Sequence, residues 1–218
     1  MFEANEETRE FKLDGHKVLS VSEILDSAGL TNFCLCGHSH AVHARDHGYL
    51  KACGCIAFKT VFDKESAWRG SVVHRCLELA IQGRLDMASV HPELTGYVKS
   101  GIALWEAMNL KAVMIEKRLV HHELKFVGKP DFVHENDSQI MIGDWKSGEA
   151  LPSTAWQLAG YEILVRFNTP IDNKVYKPII RAAIELDKSG AMAKLIPYMD
   201  RNDKHVFMAA LTVAHAKK

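Results

Sequence analysis

Apolar and polar residues alternate along four stretches of the chain, and a period of two predicts β-strands. The second and third stretches are separated by Glu-Asn-Asp-Ser at 135–138, a polar sequence that is typical of a turn. These two strands are therefore predicted to form a β-hairpin. The four predicted strands span 112–122, 126–134, 139–145 and 176–186.

Apolar residues three and four positions apart predict helices on both sides of the hairpin. A short helix over 18–30 contains Ser20 and Glu23 at the spacing of a capping box. Ser153 is the predicted N-cap of the helix that follows the hairpin. The other predicted helices span 64–82, 91–108, 152–166, 191–199 and 207–216. Strands and helices together predict an α/β fold of the α+β kind.

The bulk composition is that of a globular protein. With 218 residues, of which 47% are hydrophobic, one domain over 1–218 is expected. No apolar run is long enough to span a bilayer and the N-terminus is polar, so we expect a cytoplasmic protein, in the host cytoplasm if it is phage-encoded. Lys plus Arg and Asp plus Glu both number 27. This balance is unlike that of a protein that coats nucleic acid, but it allows an enzyme with a local basic groove.

Asp131, Asp144 and Lys146 lie on the predicted hairpin. Asp144 and Lys146 are two apart on one strand, so their side chains leave the same face, and Asp131 can approach them from the partner strand. Converging carboxylates suit Mg²⁺ or Mn²⁺. A lysine beside such a site can orient a water or stabilise charge on a phosphate, as phosphodiester hydrolysis requires. Taken alone, the triplet 144–146 is more typical of a salt-bridged surface hairpin.

Residue pairs at helical spacing flank the hairpin. Gly70 and His74 are four apart, as are Gln157 and Tyr161, so each pair shares a helical face. The ordered motifs are G-x-x-x-H at 70–74, an acidic residue at Glu116, G-x-P-D at 128–131, D-x-K at 144–146 and Q-x-x-x-Y at 157–161. Over 67–186, this set resembles the RecB-type branch of the PD-(D/E)xK nuclease superfamily, which includes lambda-type phage exonucleases and CRISPR-associated RecB-like nucleases.

The resemblance implies a restriction-endonuclease-like core over 67–186, with a central four-stranded mixed sheet flanked by helices. It implies that His74, Asp131 and Asp144 are the ligands of Mg²⁺ or Mn²⁺, with Glu116 a further candidate for a second metal position. Lys146 would be the catalytic lysine, and Gln157 and Tyr161 would orient the substrate strand or support the lysine and the ligands. Arg181, on the last predicted strand, is a candidate phosphate contact, with a plain surface charge as the alternative.

A Cys/His-rich segment at 33–58 contains four of the five cysteines. Two Cys-x-Cys pairs around a histidine-rich loop suit a tetrahedral Zn²⁺ site, which would supply folding free energy to a segment with little apolar surface. A disulfide is disfavoured in a protein without an export signal, free thiols in a flexible loop remain an alternative, and an iron–sulfur cluster is a minor one. The predicted structural zinc ligands are four of Cys34, Cys36, His43, Cys53 and Cys55.

The resulting hypothesis is a metal-dependent deoxyribonuclease, foremost an exonuclease that processes DNA in phage-type recombination. A structure- or sequence-selective endonuclease on the same fold is one alternative, and a non-catalytic, zinc-dependent nucleic-acid-binding module is another. DNA is the expected partner. The sequence leaves open whether the protein forms a homo-oligomer or acts with a recombination partner such as a single-strand annealing protein.

Overall fold

The computed structural model describes residues 1–5, 8, 10–31, 64–169 and 177–217. Within them, the chain forms two five-stranded mixed sheets and five α-helices. The strands are β1 Phe2–Asn5, β2 Glu10–Leu13, β3 His16–Ser20, β4 Ala112–Ile115, β5 Leu119–His121, β6 Phe126–Gly128, β7 Phe132–Glu135, β8 Ile140–Lys146, β9 Ile179–Glu185 and β10 Lys194–Tyr198. The helices are α1 Val21–Ser27, α2 Lys64–Ile81, α3 Thr95–Ala107, α4 Ser153–Asn168 and α5 Asn202–Ala216.

The first sheet has the strand order β1-β2-β3-β6-β5. The tight turn between β2 and β3 uses Asp14 and Gly15, both at positive φ (51° and 78°), a conformation that Gly and Asp adopt more readily than other residues. From β3 the chain enters α1 through a capping box, because Ser20 accepts from Glu23 N while the Glu23 carboxylate accepts from Ser20 N. This confirms the predicted capping box, although α1 begins only at Val21 and residues 18–20 belong to β3.

The second sheet has the order β10-β9-β8-β7-β4 and holds the residues of most chemical interest. The β7–β8 hairpin is confirmed, with Phe132 opposite Gly143 and Asn136 accepting from the backbone of its turn. β8 and β9 are parallel, and α4 lies between them in the sequence. Such a crossover needs a connection of a dozen or more residues, which brings α4 back against the sheet beside β8.

The four predicted strands all contribute to the second mixed sheet, as β4, β7, β8 and β9, but β10 extends this sheet and two of the predicted strands each divide between the two sheets. The predicted strand 112–122 becomes β4 in the second sheet and β5 in the first, and it breaks where Glu116 takes a positive φ of 47°. The predicted strand 126–134 becomes β6 and β7. It breaks at Pro130, which has no N–H to donate a hydrogen bond to a neighbouring strand. The two breaks face each other, since Glu116 N donates to Asp131 O at 2.9 Å.

Two hydrophobic clusters cover the two faces of the second sheet. Ile142 packs with α1, α4 and α5 around Leu158 and Phe207. Trp145 lies three residues further along β8, so it points to the other face, where it packs with α2 and α3 around Leu77. Alternation along β8 therefore places Asp144 and Lys146 on the α4 side of the sheet.

Other helix predictions have mixed outcomes. Helices lie where the patterns at 64–82, 91–108 and 207–216 predicted them, although α3 begins only at Thr95. The predicted helix over 191–199 was wrong, because this segment pairs with β9 as the edge strand β10. An edge position tolerates Pro197, which cannot donate to a ladder. The N-cap of α4 is Pro152 and there is no side-chain cap, so Ser153 does not have that role.

The Cys/His-rich segment 33–58 lies outside the described residues, so its zinc ligands stay a prediction. Among the helices that the structure describes, none has both the length and the apolar character needed to cross a membrane.

Candidate metal centre

Three acidic or imidazole side chains meet at one end of the second sheet. His74 comes from α2, Glu116 from the break after β4, and Asp131 from the break before β7. One potential ligand atom from each lies within 4.8 Å of the others. The left-handed backbone at Glu116 belongs to the turn that carries this carboxylate, and such conformations in non-glycine residues concentrate at functional sites.

Backbone groups of Trp145 complete the surroundings of His74 and Asp131. His74 Nδ1 lies 3.3 Å from Asp131 Oδ1, and its Nε2 lies 2.8 Å from the Trp145 carbonyl oxygen. Trp145 N donates to Asp131 Oδ2 at 2.7 Å. The Trp145 carbonyl is thus a further oxygen at the cluster. Sequence reasoning missed it because a backbone group has no residue-type signal.

The ionisation of this cluster is strongly perturbed. Burial disfavours the His74 imidazolium, yet the charge and hydrogen bond of Asp131 outweigh it and raise the pKa of His74 to about 9. Burial works against the Asp131 carboxylate too, but His74 lowers the pKa of Asp131 below its usual value. Burial and repulsion from Asp131 raise the pKa of Glu116, against the ion pair that Glu116 makes with Lys129. The two carboxylates therefore repel each other, and His74 and Lys129 supply the neighbouring positive charges.

Asp144 is adjacent to this cluster and is paired with Lys146. The Lys146 Nζ to Asp144 Oδ2 distance is 2.5 Å, and Asp144 is only 1% exposed. Burial, helped by Asp131, raises the pKa of Asp144 despite the lysine. Burial alone would lower the pKa of Lys146, and Asp144 raises it above the usual value. Apart from the ion pair, Asp144 Oδ2 has no hydrogen-bond partner among the described groups, so this buried oxygen is suited to accept a cation.

Gln157 and Tyr161 of α4 connect this pair to the helix. Gln157 Nε2 donates to Asp144 Oδ1 at 3.3 Å and to the Tyr161 hydroxyl at 3.0 Å, while Gln157 Oε1 accepts from Lys146 Nζ at 3.4 Å. Burial raises the pKa of Tyr161 far above its usual value, so the phenol is neutral. The spacing of four on one helical face thus joins Tyr161 to Gln157, which contacts both ends of the D-x-K motif.

The structure changes the relative weight of the predicted ligands. The sequence ranked His74, Asp131 and Asp144 first, with Glu116 as an addition. In the structure, Glu116 forms the closest group with His74 and Asp131, while Asp144 is engaged by Lys146 and Gln157. The cluster fits a hard divalent cation, because such ions prefer carboxylate oxygens and accept imidazole.

Arg181 lies apart from this cluster and is buried, which fits neither a plain surface charge nor an exposed phosphate contact. It is 4% exposed, and its guanidinium donates to Ala155 O and Asp200 O. It also pairs with Glu162 at 3.4 Å and with Asp203 at 3.1 Å. These partners occupy the arginine inside the protein, between β9, α4 and α5.

A polar groove lies beside the metal centre. It has a volume of about 530 Å³ and runs between β2, β3, α1 and the end of β6. Three cationic side chains line it, from Lys17, Arg118 and Lys129, together with the acidic Glu10 and Glu23. Lys129 also pairs with Glu116 of the metal centre, and Tyr161 lines the groove as well. The groove and the centre are therefore contiguous.

Comparisons with known proteins give little guidance. No protein-family model matches the chain, and no curated protein matches it. Among solved structures, the crystal structure of a "putative exonuclease" from Eubacterium rectale is similar with a TM-score of 0.47 and 13% identity, over 92% of this chain and 82% of that chain. A likeness this distant carries no weight for function, so the functional assignment rests on the site.

Proposed function

We propose that the protein is a metal-dependent nuclease that hydrolyses phosphodiester bonds in DNA, foremost from an end. One observation carries this proposal: a His74, Glu116 and Asp131 cluster stands next to a buried Asp144–Lys146 pair. An acidic cation site with an adjacent ammonium group is what metal-assisted phosphodiester hydrolysis requires.

In this proposal His74, Asp131 and Glu116 hold Mg²⁺ or Mn²⁺, with Asp144 as a further oxygen ligand. When bound, such an ion polarises the phosphoryl group and lowers the pKa of a water. Lys146 keeps its proton, because its pKa is raised, and it positions the attacking water or stabilises the negative charge that develops on the phosphate. Gln157 holds Lys146 and Asp144 in place through its amide, and Tyr161 holds Gln157.

The groove beside the centre supports DNA as the substrate class. Lys17, Arg118 and Lys129 line a wall that leads to Glu116 and Tyr161, and phosphates can replace the carboxylates that now pair with Lys17 and Lys129, which are Glu23 and Glu116. Local cations of this kind compensate for a net charge of zero over the whole chain. The preference for an exonuclease comes from the resemblance of the motifs. Comparing cleavage of linear and closed circular DNA distinguishes an exonuclease from an endonuclease.

The test is cleavage of end-labelled linear duplex, single-stranded DNA and closed circular DNA with Mg²⁺, Mn²⁺ or EDTA. We expect metal-dependent loss of the linear substrates, and a loss of at least about 100-fold in rate for Lys146→Ala. Lys111→Ala is the matched control, because Lys111 is exposed just before β4. Nicking of the closed circular DNA would indicate an endonuclease instead of an exonuclease. No cleavage with any metal, or full activity in Lys146→Ala, would overturn the proposal.

A further inference from the structure

The loop 147–152 joins two parts of the proposed active site. It leaves β8 directly after Lys146 and ends where α4 begins at Ser153. The lysine before the loop donates to Gln157, after the loop, at 3.4 Å. The loop therefore connects the end of the strand that carries the lysine to the helix that carries the glutamine.

Few side-chain contacts hold the middle of this loop. At Gly148, a Cβ would find no atom within 4 Å, and Glu149 is exposed. The backbone N–H of Ala150, by contrast, donates to Glu185 Oε1 at 2.7 Å. A carboxylate acceptor makes this a charge-assisted hydrogen bond, which is stronger than one between neutral groups.

Glu185 is well placed to hold the loop. It is the last residue of β9, and the parallel register puts it directly opposite Lys146. The next backbone N–H, of Leu186, donates to Lys146 O at 2.8 Å. Paired residues on neighbouring strands project to the same face of a sheet, so Glu185 leaves the sheet on the face of Lys146 and extends beyond the end of β8.

We propose that Glu185 is a positioning residue of the active site. By accepting the hydrogen bond from Ala150, its carboxylate holds the loop 147–152 and keeps Lys146 in place between Asp144 and Gln157. Glu185 acts through the loop and does not contact the substrate. The inference rests on the proposed nuclease function and adds a residue that none of the sequence motifs contains.

Three variants of the full chain test it. Glu185→Ala removes the acceptor, and we expect kcat on linear DNA to fall by about 10- to 100-fold with little change in KM, because a small displacement of a catalytic group has costs of this size. Glu185→Gln keeps a carbonyl oxygen for Ala150, so it should restore kcat to within about threefold of wild type. Glu149→Ala removes an exposed carboxylate from the same loop and should leave kcat unchanged.

A readout independent of activity is hydrogen exchange at the Ala150 amide. We expect exchange at least about tenfold faster in Glu185→Ala than in wild type, and near the wild-type rate in Glu185→Gln. Mn²⁺ should still bind, because none of the hydrogen bonds and ion pairs of the described residues joins the loop to His74, Glu116 or Asp131. Only the contribution of Asp144, through its pairing with Lys146, can change.

Three results would overturn the inference: full kcat in Glu185→Ala, equal damage in Glu185→Gln and Glu185→Ala, or unchanged exchange at Ala150. Failure of the proposed function is a separate result. If wild-type protein cleaves no DNA with any metal, the nuclease proposal fails, and exchange at Ala150 still decides whether Glu185 holds the loop.

Discussion

His74 and Asp131 make the ionisation of the metal centre a joint property. Their side chains are 3.3 Å apart, and the pKa of His74 rises to about 9 because the carboxylate outweighs the effect of burial. The protonated ring donates to Asp131 and to the Trp145 carbonyl in the metal-free protein. A metal ligand must instead be a neutral imidazole, so proton and metal compete for His74.

Metal binding is therefore expected to release a proton. Near neutral pH, Mn²⁺ binding should release about one proton per protein, because His74 is protonated below about pH 9. Isothermal titration calorimetry in two buffers with different ionisation enthalpies measures this number. His74→Gln should bind Mn²⁺ more weakly and release no proton from this position. An unchanged proton count in the variant would exclude His74 as a ligand.

The same shift predicts how stability depends on pH without metal. The folded-state pKa of His74 is raised, so its contribution is complete below the unfolded value of about 6.5 and is lost as pH rises through about 9. Thermal unfolding in EDTA should show a falling midpoint across this window. His74→Gln should remove most of the slope, and a wild-type midpoint that is flat over the window would contradict the assignment.

At the scale of elements, the β7–β8 hairpin depends on the close approach of its strands at Gly143. A Cβ at Gly143 would lie 2.0 Å from Phe132 Cζ, on the residue directly opposite in the register. Phe132 is fully buried and contacts Trp105 and Trp145. The ring therefore fills the place that a side chain at 143 would need, directly beside Asp144.

Gly143→Ala should consequently destabilise the protein. We expect a loss of about 1–3 kcal/mol in the free energy of unfolding, the usual cost of overpacking a core. Urea unfolding measures it, and Gly148→Ala is the matched control, since a methyl group there meets nothing within 4 Å. Equal stabilities of the two variants would show that Phe132 can move aside without cost.

At the scale of the whole molecule, Arg181 connects elements that are distant in sequence. From β9 it reaches Ala155 and Glu162 of α4, and Asp200 and Asp203 at the start of α5. Glu162 in turn accepts from Lys204 and Arg166. This buried network fixes α4 and α5 against the face of the second sheet that carries Asp144 and Lys146.

Removal of the arginine should leave the buried Asp203 carboxylate without its cationic partner, while Glu162 keeps Lys204 and Arg166. Arg181→Met is expected to lower the free energy of unfolding by about 3–5 kcal/mol, as measured in urea. The control is Arg84→Met, because Arg84 is exposed. The salt dependence of DNA binding should not change in folded Arg181→Met, whereas a phosphate contact would reduce the slope by about one. A reduced salt-dependence slope would show instead that Arg181 contacts a DNA phosphate.

Local patterns determined much of this protein. Alternation along 139–145 predicts the strand that presents Asp144 and Lys146, and a spacing of four places Gln157 with Tyr161, because both depend only on neighbouring residues. The capping box at Ser20 is predictable for the same reason.

Only the tertiary structure decided which distant groups meet. It divided two continuous strand patterns between two sheets at Glu116 and Pro130, and so brought Glu116 beside His74 and Asp131. It buried Arg181 among carboxylates and placed Glu185 against the loop after Lys146. Residue spacing indicates which residues share a face of one helix or strand. These contacts instead depend on the path of the chain between elements. An alternating pattern is also the same whichever sheet the strand joins.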